Sequence, residues 1–214
     1  MQNKNINIIC QKVMPVLEKR IHPEKWFSSD EQFNLIYTPS IQLLSRRHWT
    51  PIYVARKASH FLAAENNAKI LDIGSGVGKF CLSAAYYNPK AFFYGVEQRR
   101  ALINHAEIAK DILRIKNCSF IHGNFTQLDF KNYDHFYFYN SFYENLAGKD
   151  KIDENIDYSG ELYNYYNRYL YKQLEQKPAG TRLATFHSLE DEIPPGFHVV
   201  GTEMDNLLKF WIKI

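Results

Sequence analysis

Three glycines at alternate positions, with a carboxylate two residues ahead of them, are the first feature of this 214-residue chain that can do chemistry. They stand in Ile70-Leu71-Asp72-Ile73-Gly74-Ser75-Gly76-Val77-Gly78. Glycine lets a backbone turn sharply and lets a ligand approach where a Cβ would otherwise stand. The apolar residues before the turn read as a strand and those after it as a helix. Such a turn aims the first amides of the helix at the carboxyl edge of a parallel sheet, where ligands bind. A dinucleotide loop spaces its glycines G-x-G-x-x-G to wrap a pyrophosphate; here the spacing is G-x-G-x-G.

Glu97 ends the apolar run AFFYGVE, 19 residues after Gly78. A carboxylate at that point can accept both hydroxyls of a ribose, whichever nucleotide-like ligand carries it. A solvated strand-end glutamate is the plain alternative. After the run CSFIH comes His122-Gly123-Asn124-Phe125. The Asn124 side-chain oxygen can accept a hydrogen bond without carrying charge, and Phe125 can cover a flat ring or pack in the core. The run HFYFY leads into Asn140-Ser141-Phe142-Tyr143. Asn140 can orient a nucleophile through its amide, or cap a following helix. Phe142 and Tyr143 can wall a channel for a second substrate.

The first of these segments resembles motif I of the class I S-adenosylmethionine-dependent methyltransferases. The resemblance implies a loop that curves around the methionine and ribose parts of S-adenosyl-L-methionine. Asp72, Gly74, Ser75, Gly76, Gly78 and Glu97 would hold that cofactor, with Asp72 acting through water on its ammonium group. Asn124 occupies the place of the family's adenine-binding Asp, with Phe125 beside it. Asn140 would face the methyl acceptor as the catalytic residue. Within the superfamily, LDIGSGVGKF and GVE are similar to the Dot-type (non-SET) histone-lysine methyltransferases, whose Asn-Asn-Phe is partly matched by Asn140-Ser141-Phe142. The chain is closer to small uncharacterised bacterial methyltransferases that carry H-W-T-P before the first domain helix, here His48-Trp49-Thr50-Pro51. That likeness implies that Trp49 and Thr50 lie near the methionine end, under a segment folded over the cofactor. A Trp before a helix cap also serves as a hydrophobic staple.

The elements that must position these residues alternate. Strands are expected over residues 68–73, 91–96, 118–122, 135–139 and 181–186, and helices over 50–65, 79–88, 99–115 and 158–176. Thr50 reads as an N-cap with Pro51 at the first helical position. Strand–helix alternation implies a parallel sheet with helices on both faces. Two further strands, about 197–202 and 207–213, read as a closing antiparallel hairpin. The fold class is therefore α/β: a Rossmann-like, seven-stranded, mostly parallel sheet with a C-terminal antiparallel hairpin. The expected division is a short helical N-terminal extension, residues 1–49, and a Rossmann-like domain, residues 50–214. In the extension, residues 6–21 read as an amphipathic helix kinked at Pro15, and residues 30–47 as a weaker helix broken near Thr38-Pro39. The Tyr-rich helix spaces its rings as core or helix surface rather than as a base-stacking platform.

Bulk properties exclude little beyond this. The net charge is +3, with Lys and Arg spread along the chain, which permits nucleic acid without indicating it. The three cysteines, Cys10, Cys81 and Cys118, are far apart, with no metal-ligand spacing and no disulfide framework. No apolar run near the start suits a signal peptide or a membrane span, so a cytoplasmic protein is expected. The expected function is methyl transfer from S-adenosylmethionine to a nitrogen or oxygen nucleophile on an unidentified acceptor: a protein amine first, RNA or a small molecule next. The alternatives are a non-catalytic cofactor-binding or scaffold module of the same fold, and a nicotinamide-dependent oxidoreductase. The oligomeric state is not written in the sequence.

Overall fold

The computed structural model describes residues 23–146, 148, 151–188 and 190–214; the helix expected over residues 6–21 lies outside them, as does Cys10. The seven expected strands form one sheet: β1 (Lys69–Ile73), β2 (Phe92–Glu97), β3 (Cys118–His122), β4 (His135–Phe138), β5 (Arg182–Phe186), β6 (Phe197–Glu203) and β7 (Leu208–Lys213). Their order is β3-β2-β1-β4-β5-β7-β6. Strands β1 to β5 pair parallel, while β7 runs antiparallel to both β5 and β6. The register of β6 against β7 slips between Val199 and Gly201. The order reverses between β1 and β4, the switch point at which a crevice opens beyond the strand ends. Strand β4 is buried at every position, as an inner parallel strand covered on both faces must be.

Four short helices precede the first domain helix: α1 (Pro23–Trp26), α2 (Asp30–Asn34), α3 (Pro39–Gln42) and α4 (Ser45–His48). The expected weak helix over 30–47 is thus three separate turns; Thr38 precedes Pro39, which starts α3 at its first position. Then come α5 (Ile52–Leu62), α6 (Lys79–Tyr87), α7 (Arg100–Leu113) and α8 (Gly160–Glu175). Each starts or stops for a local reason. The Ser159 hydroxyl accepts from the Leu162 amide at the head of α8, and α7 ends where Arg114 turns left-handed at φ 56°.

The expected Thr50 cap is corrected. The N-cap of α5 is Pro51, and Thr50 makes no cap bond. Its hydroxyl instead bonds the buried Tyr137 hydroxyl at 3.0 Å. The free amide of Ile52 donates to Asp30 Oδ1 of α2 at 2.9 Å, so a distant carboxylate caps the helix.

The core has two parts, one on each face of the sheet. One gathers α5, α6 and α7 with Trp26, Phe27, Phe33, Tyr37 and Trp49 from the preceding turns. The other sets Tyr166, Leu170 and Leu174 of α8 against Phe125, Phe130, Phe136, Phe138 and Phe142. Helices therefore cover both faces, and the crevice lies between them at the carboxyl edge.

Candidate active site

A cavity of about 790 Å³ occupies that crevice. Its floor is the β1–α6 turn. Gly74 takes φ 79°, and a Cβ there would stand 2.4 Å from Ser141 Oγ. Ser141 Oγ donates to the Ile73 carbonyl at 2.6 Å, so the turn after β4 is stitched to the end of β1. Gly76, at φ 54°, has nothing within 4 Å of the place its Cβ would occupy. That open side is where a ligand can touch bare backbone.

Glu97, 6% exposed, closes the β2 side. Its Oε2 accepts from the Gly76 amide at 3.2 Å, and its Oε1 from the Arg99 amide at 2.9 Å. Burial raises its pKa, opposed by Arg99 and these two amides. Oε1 also accepts from Arg99 Nη1 at 3.4 Å, so Oε2 is the oxygen that keeps a lone pair for a further donor. Asp72 lines the floor with the Cys81 thiol donating to Oδ2 at 3.4 Å. Burial lifts its carboxyl from 3.8 to about 8, with the Glu97 charge adding to the rise. Ser75 lines the cavity, while its Oγ is buried toward Gly95 of β2 and has no hydrogen-bond partner.

Residues 64–156 match the family model of a methyltransferase domain. A tRNA (guanine-N(7)-)-methyltransferase of Synechococcus is 43% identical over 54 residues, 25% of this chain and 23% of the relative. The release factor glutamine methyltransferase of Buchnera aphidicola is 30% identical over 121 residues, 56% of this chain and 41% of that one. The chain thus spans less than half the length of these curated relatives. Among solved structures, an RNA methyltransferase from Salinibacter ruber in complex with S-adenosyl-L-homocysteine superposes with a TM-score of 0.52 at 17% identity, covering 77% of this chain and 93% of that one. Residues 64–156 thus resemble a methyltransferase domain, in a fold shared with S-adenosylmethionine-dependent methyltransferases. The strand order and the closing hairpin agree with that likeness.

The fold gathers most of the sequence-predicted residues on one cavity: Trp49, Thr50, Asp72, Gly74, Ser75, Gly76, Glu97, Phe125, Asn140, Phe142 and Tyr143 all line it. Gly78 lies behind the turn as the left-handed N-cap of α6. Asn124 is not on the wall. Its Oδ1 accepts from the Thr126 amide and hydroxyl at 3.0 and 2.9 Å, and its Nδ2 donates to Tyr166 and Gln98. The oxygen expected to meet an adenine amino group is therefore committed to capping its own turn. Phe125 and Phe142 stack at 5.0 Å within the core and also line the cavity. Asn140 holds a left-handed backbone at φ 39°. The N-cap of the turn over Tyr143–Asn145 is Phe142; only the carbonyl of Asn140 takes part, accepting from the Tyr143 amide at 3.1 Å. Non-glycine left-handed residues concentrate where a site dictates geometry, and His187, at φ 60° after β5, is a second one on the same cavity. Burial lowers the His187 pKa, and its ring lies beside Tyr139 at 5.7 Å.

Two cations went unread. Lys79, 3% exposed, bonds Asp30 and Asn34 and lies over the rings of Phe33 and Trp49. Arg99 lies beneath residues 151–158, an irregular strap along one wall, and pairs with Glu97, Glu144 and Asp153. The one sequence signal for Lys79 is a charge opening a helix whose next six residues are all apolar or small. Among the described residues no group of His, Cys, Asp and Glu could hold a metal ion, and no helix is long and apolar enough to cross a membrane.

Proposed function

We propose that the chain transfers a methyl group from S-adenosylmethionine to a nitrogen nucleophile on a protein. The observation that supports this best is convergence: the glycine turn, Asp72, Glu97 and Asn140 come from three different strands onto one cavity. The cavity suits the cofactor by its donors. Glu97 Oε2 has a free lone pair for a sugar hydroxyl, and Gly76 leaves its backbone bare. When bound, S-adenosylmethionine supplies an electrophilic methyl on a sulfonium, already a good leaving group. The residues then need only align the acceptor and exclude water. Asn140, fixed at the end of β4, would orient the nucleophile through its amide. Tyr139, Tyr143 and His187 would flank it, and the neutral His187 imidazole can take a proton from an acceptor that arrives charged.

The curated relatives named above act on a tRNA and on a release factor, so both polymers are candidates. Asp72, Glu97, Glu144, Asp157 and Glu192 line the cavity against Arg47, Lys79 and Arg99. That balance suits a polypeptide better than a phosphate backbone, which needs an excess of cations.

The test is tritiated-methyl transfer to fractionated protein, RNA and metabolite pools, beside calorimetry with S-adenosylhomocysteine. Label is expected in protease-sensitive material. Glu97→Ala should lose about 1–3 kcal/mol of S-adenosylhomocysteine affinity, the worth of hydrogen bonds to a charged acceptor. A folded wild-type chain that ignores S-adenosylhomocysteine would remove the reading altogether.

A further inference from the structure

The cofactor reading gives Arg99 no role, although the residue stands in the run YGVEQRR just after Glu97 and its side chain is heavily engaged at the site. Its guanidinium side chain is 6% exposed. It reaches Glu97 at 3.4 Å, Glu144 at 2.7 Å, Asp153 at 3.2 Å and the Tyr158 hydroxyl at 2.6 Å. Burial opposes its charge, but Glu144 and Glu97 outweigh that, and its pKa is raised. The strap closes on the same point by itself: the Ile152 amide donates to Glu144 at 3.0 Å, and the Tyr158 hydroxyl donates to the Asp153 carbonyl at 2.7 Å. Ile152, Ile156, Asp157 and Tyr158 line the cavity, whereas Asp153 does not.

One guanidinium therefore joins the carboxylate at the end of β2 to Glu144 in the wall and Asp153 in the strap behind it. Its planar fork of five donors can serve several carboxylates at once, which a lysine ammonium cannot do in the same geometry. Glu97 is also the carboxylate that the cofactor reading assigns to the sugar. We propose that Arg99 is a positioning residue that couples Glu97 to the strap over residues 151–158, so that cofactor binding and strap closure stabilise each other. The inference rests on the proposed cofactor site, and the coupling is reciprocal by linkage. Sugar hydroxyls on Glu97 hold it in the orientation that Arg99 needs, and Arg99 in turn holds the strap against the ligand. A settled strap returns the favour by fixing Arg99, and through it Glu97.

Two probes read the two ends separately. S-adenosylhomocysteine calorimetry reads the floor, and trypsin cleavage after Lys151, at the start of the strap, reads the wall. Asp153→Ala, off the cavity, is expected to weaken S-adenosylhomocysteine binding on the order of fivefold. Arg99→Lys should weaken it also, and adding Asp153→Ala to Arg99→Lys should cause no further loss, because both cut one linkage. S-adenosylhomocysteine should slow cleavage after Lys151 in the wild type and not in Arg99→Lys. A merely structural role would lower the thermal midpoint of both variants while leaving affinity and protection intact, and that result overturns the coupling. So does an Asp153→Ala chain that binds as the wild type does. A wild type that does not bind S-adenosylhomocysteine at all brings down the cofactor reading first, and the coupling with it.

Discussion

Asp72 keeps its proton through neutral pH because it is buried and has only the Cys81 thiol for a side-chain partner. An unfolded chain gives that proton up near pH 3.8, whereas the folded one holds it to about 8. Between those values the folded state binds more protons than the unfolded state, so this residue's contribution to stability falls as pH rises. Asp72→Asn does not titrate. Thermal melts from pH 5 to pH 8 should therefore move in the variant's favour as pH increases. A constant difference between the two proteins across that range would mean that Asp72 is ionised in the fold. Ser75 Oγ makes a complementary point at the same scale. It lies against Gly95 of β2 with no hydrogen-bond partner, and a buried hydroxyl in that state costs about 1–3 kcal/mol.

At the scale of the element, the glycine turn separates two demands that the sequence alone merges. Gly74 is needed by the fold: its Cβ would collide with Ser141 while φ stays positive. Gly76 is needed by the ligand: its φ is positive, but the space beside it is open. Gly76→Ala should cost about 1–2 kcal/mol of stability for the left-handed backbone and lose most S-adenosylhomocysteine affinity. Gly74→Ala should cost more stability, about 3 kcal/mol or beyond, because strain and overlap add. Urea titrations and calorimetry on the two variants test the separation, and equal stability losses would refute it. The sheet elements themselves were legible. Periodicity located all seven strands within a residue or two, since buried parallel strands read as unbroken apolar runs. The caps were less so. Thr50-Pro51 has the local pattern of a helix start, but the partner that satisfies Ile52 is Asp30, folded back from α2. Asn124 was read through a family position, while its local capping chemistry claimed the oxygen. Lys79 and Arg99 escaped because their partners lie far along the chain, at Asp30, Glu144 and Asp153. No window of sequence brings such pairs together.

At the scale of the molecule, the turns before Trp49 and the sheet share one apolar cluster. Trp26, Phe27, Phe33, Tyr37 and Trp49 are all buried in it, with Phe27 stacked on Tyr86 at 3.9 Å and the Tyr37 hydroxyl donating to the Val77 carbonyl at 2.9 Å. Leu44, Arg47, His48 and Trp49 also form one side of the cavity. A fragment of residues 50–214 would lack those five rings, uncover the apolar side chains of α5 and α6 that they pack against, and strip Lys79 of Asp30. It should lose on the order of 5 kcal/mol or more of stability, at roughly 1.5–3 kcal/mol for each large apolar side chain uncovered. Circular dichroism melts check this; a fragment that melts cooperatively at the full-length midpoint would show that those turns contribute nothing to the domain.

The slipped register in β6 has a consequence for how copies of the chain meet. This strand is the outermost of its side of the sheet, and Val199 and Val200 are 40% and 53% exposed on it. A straight apolar border of that kind offers its unused peptide groups as a template for a neighbouring molecule. The bulge bends the strand there and breaks the even spacing of those groups. Such an interruption disfavours flush pairing of a second copy along this border, as bulges on native edge strands commonly do.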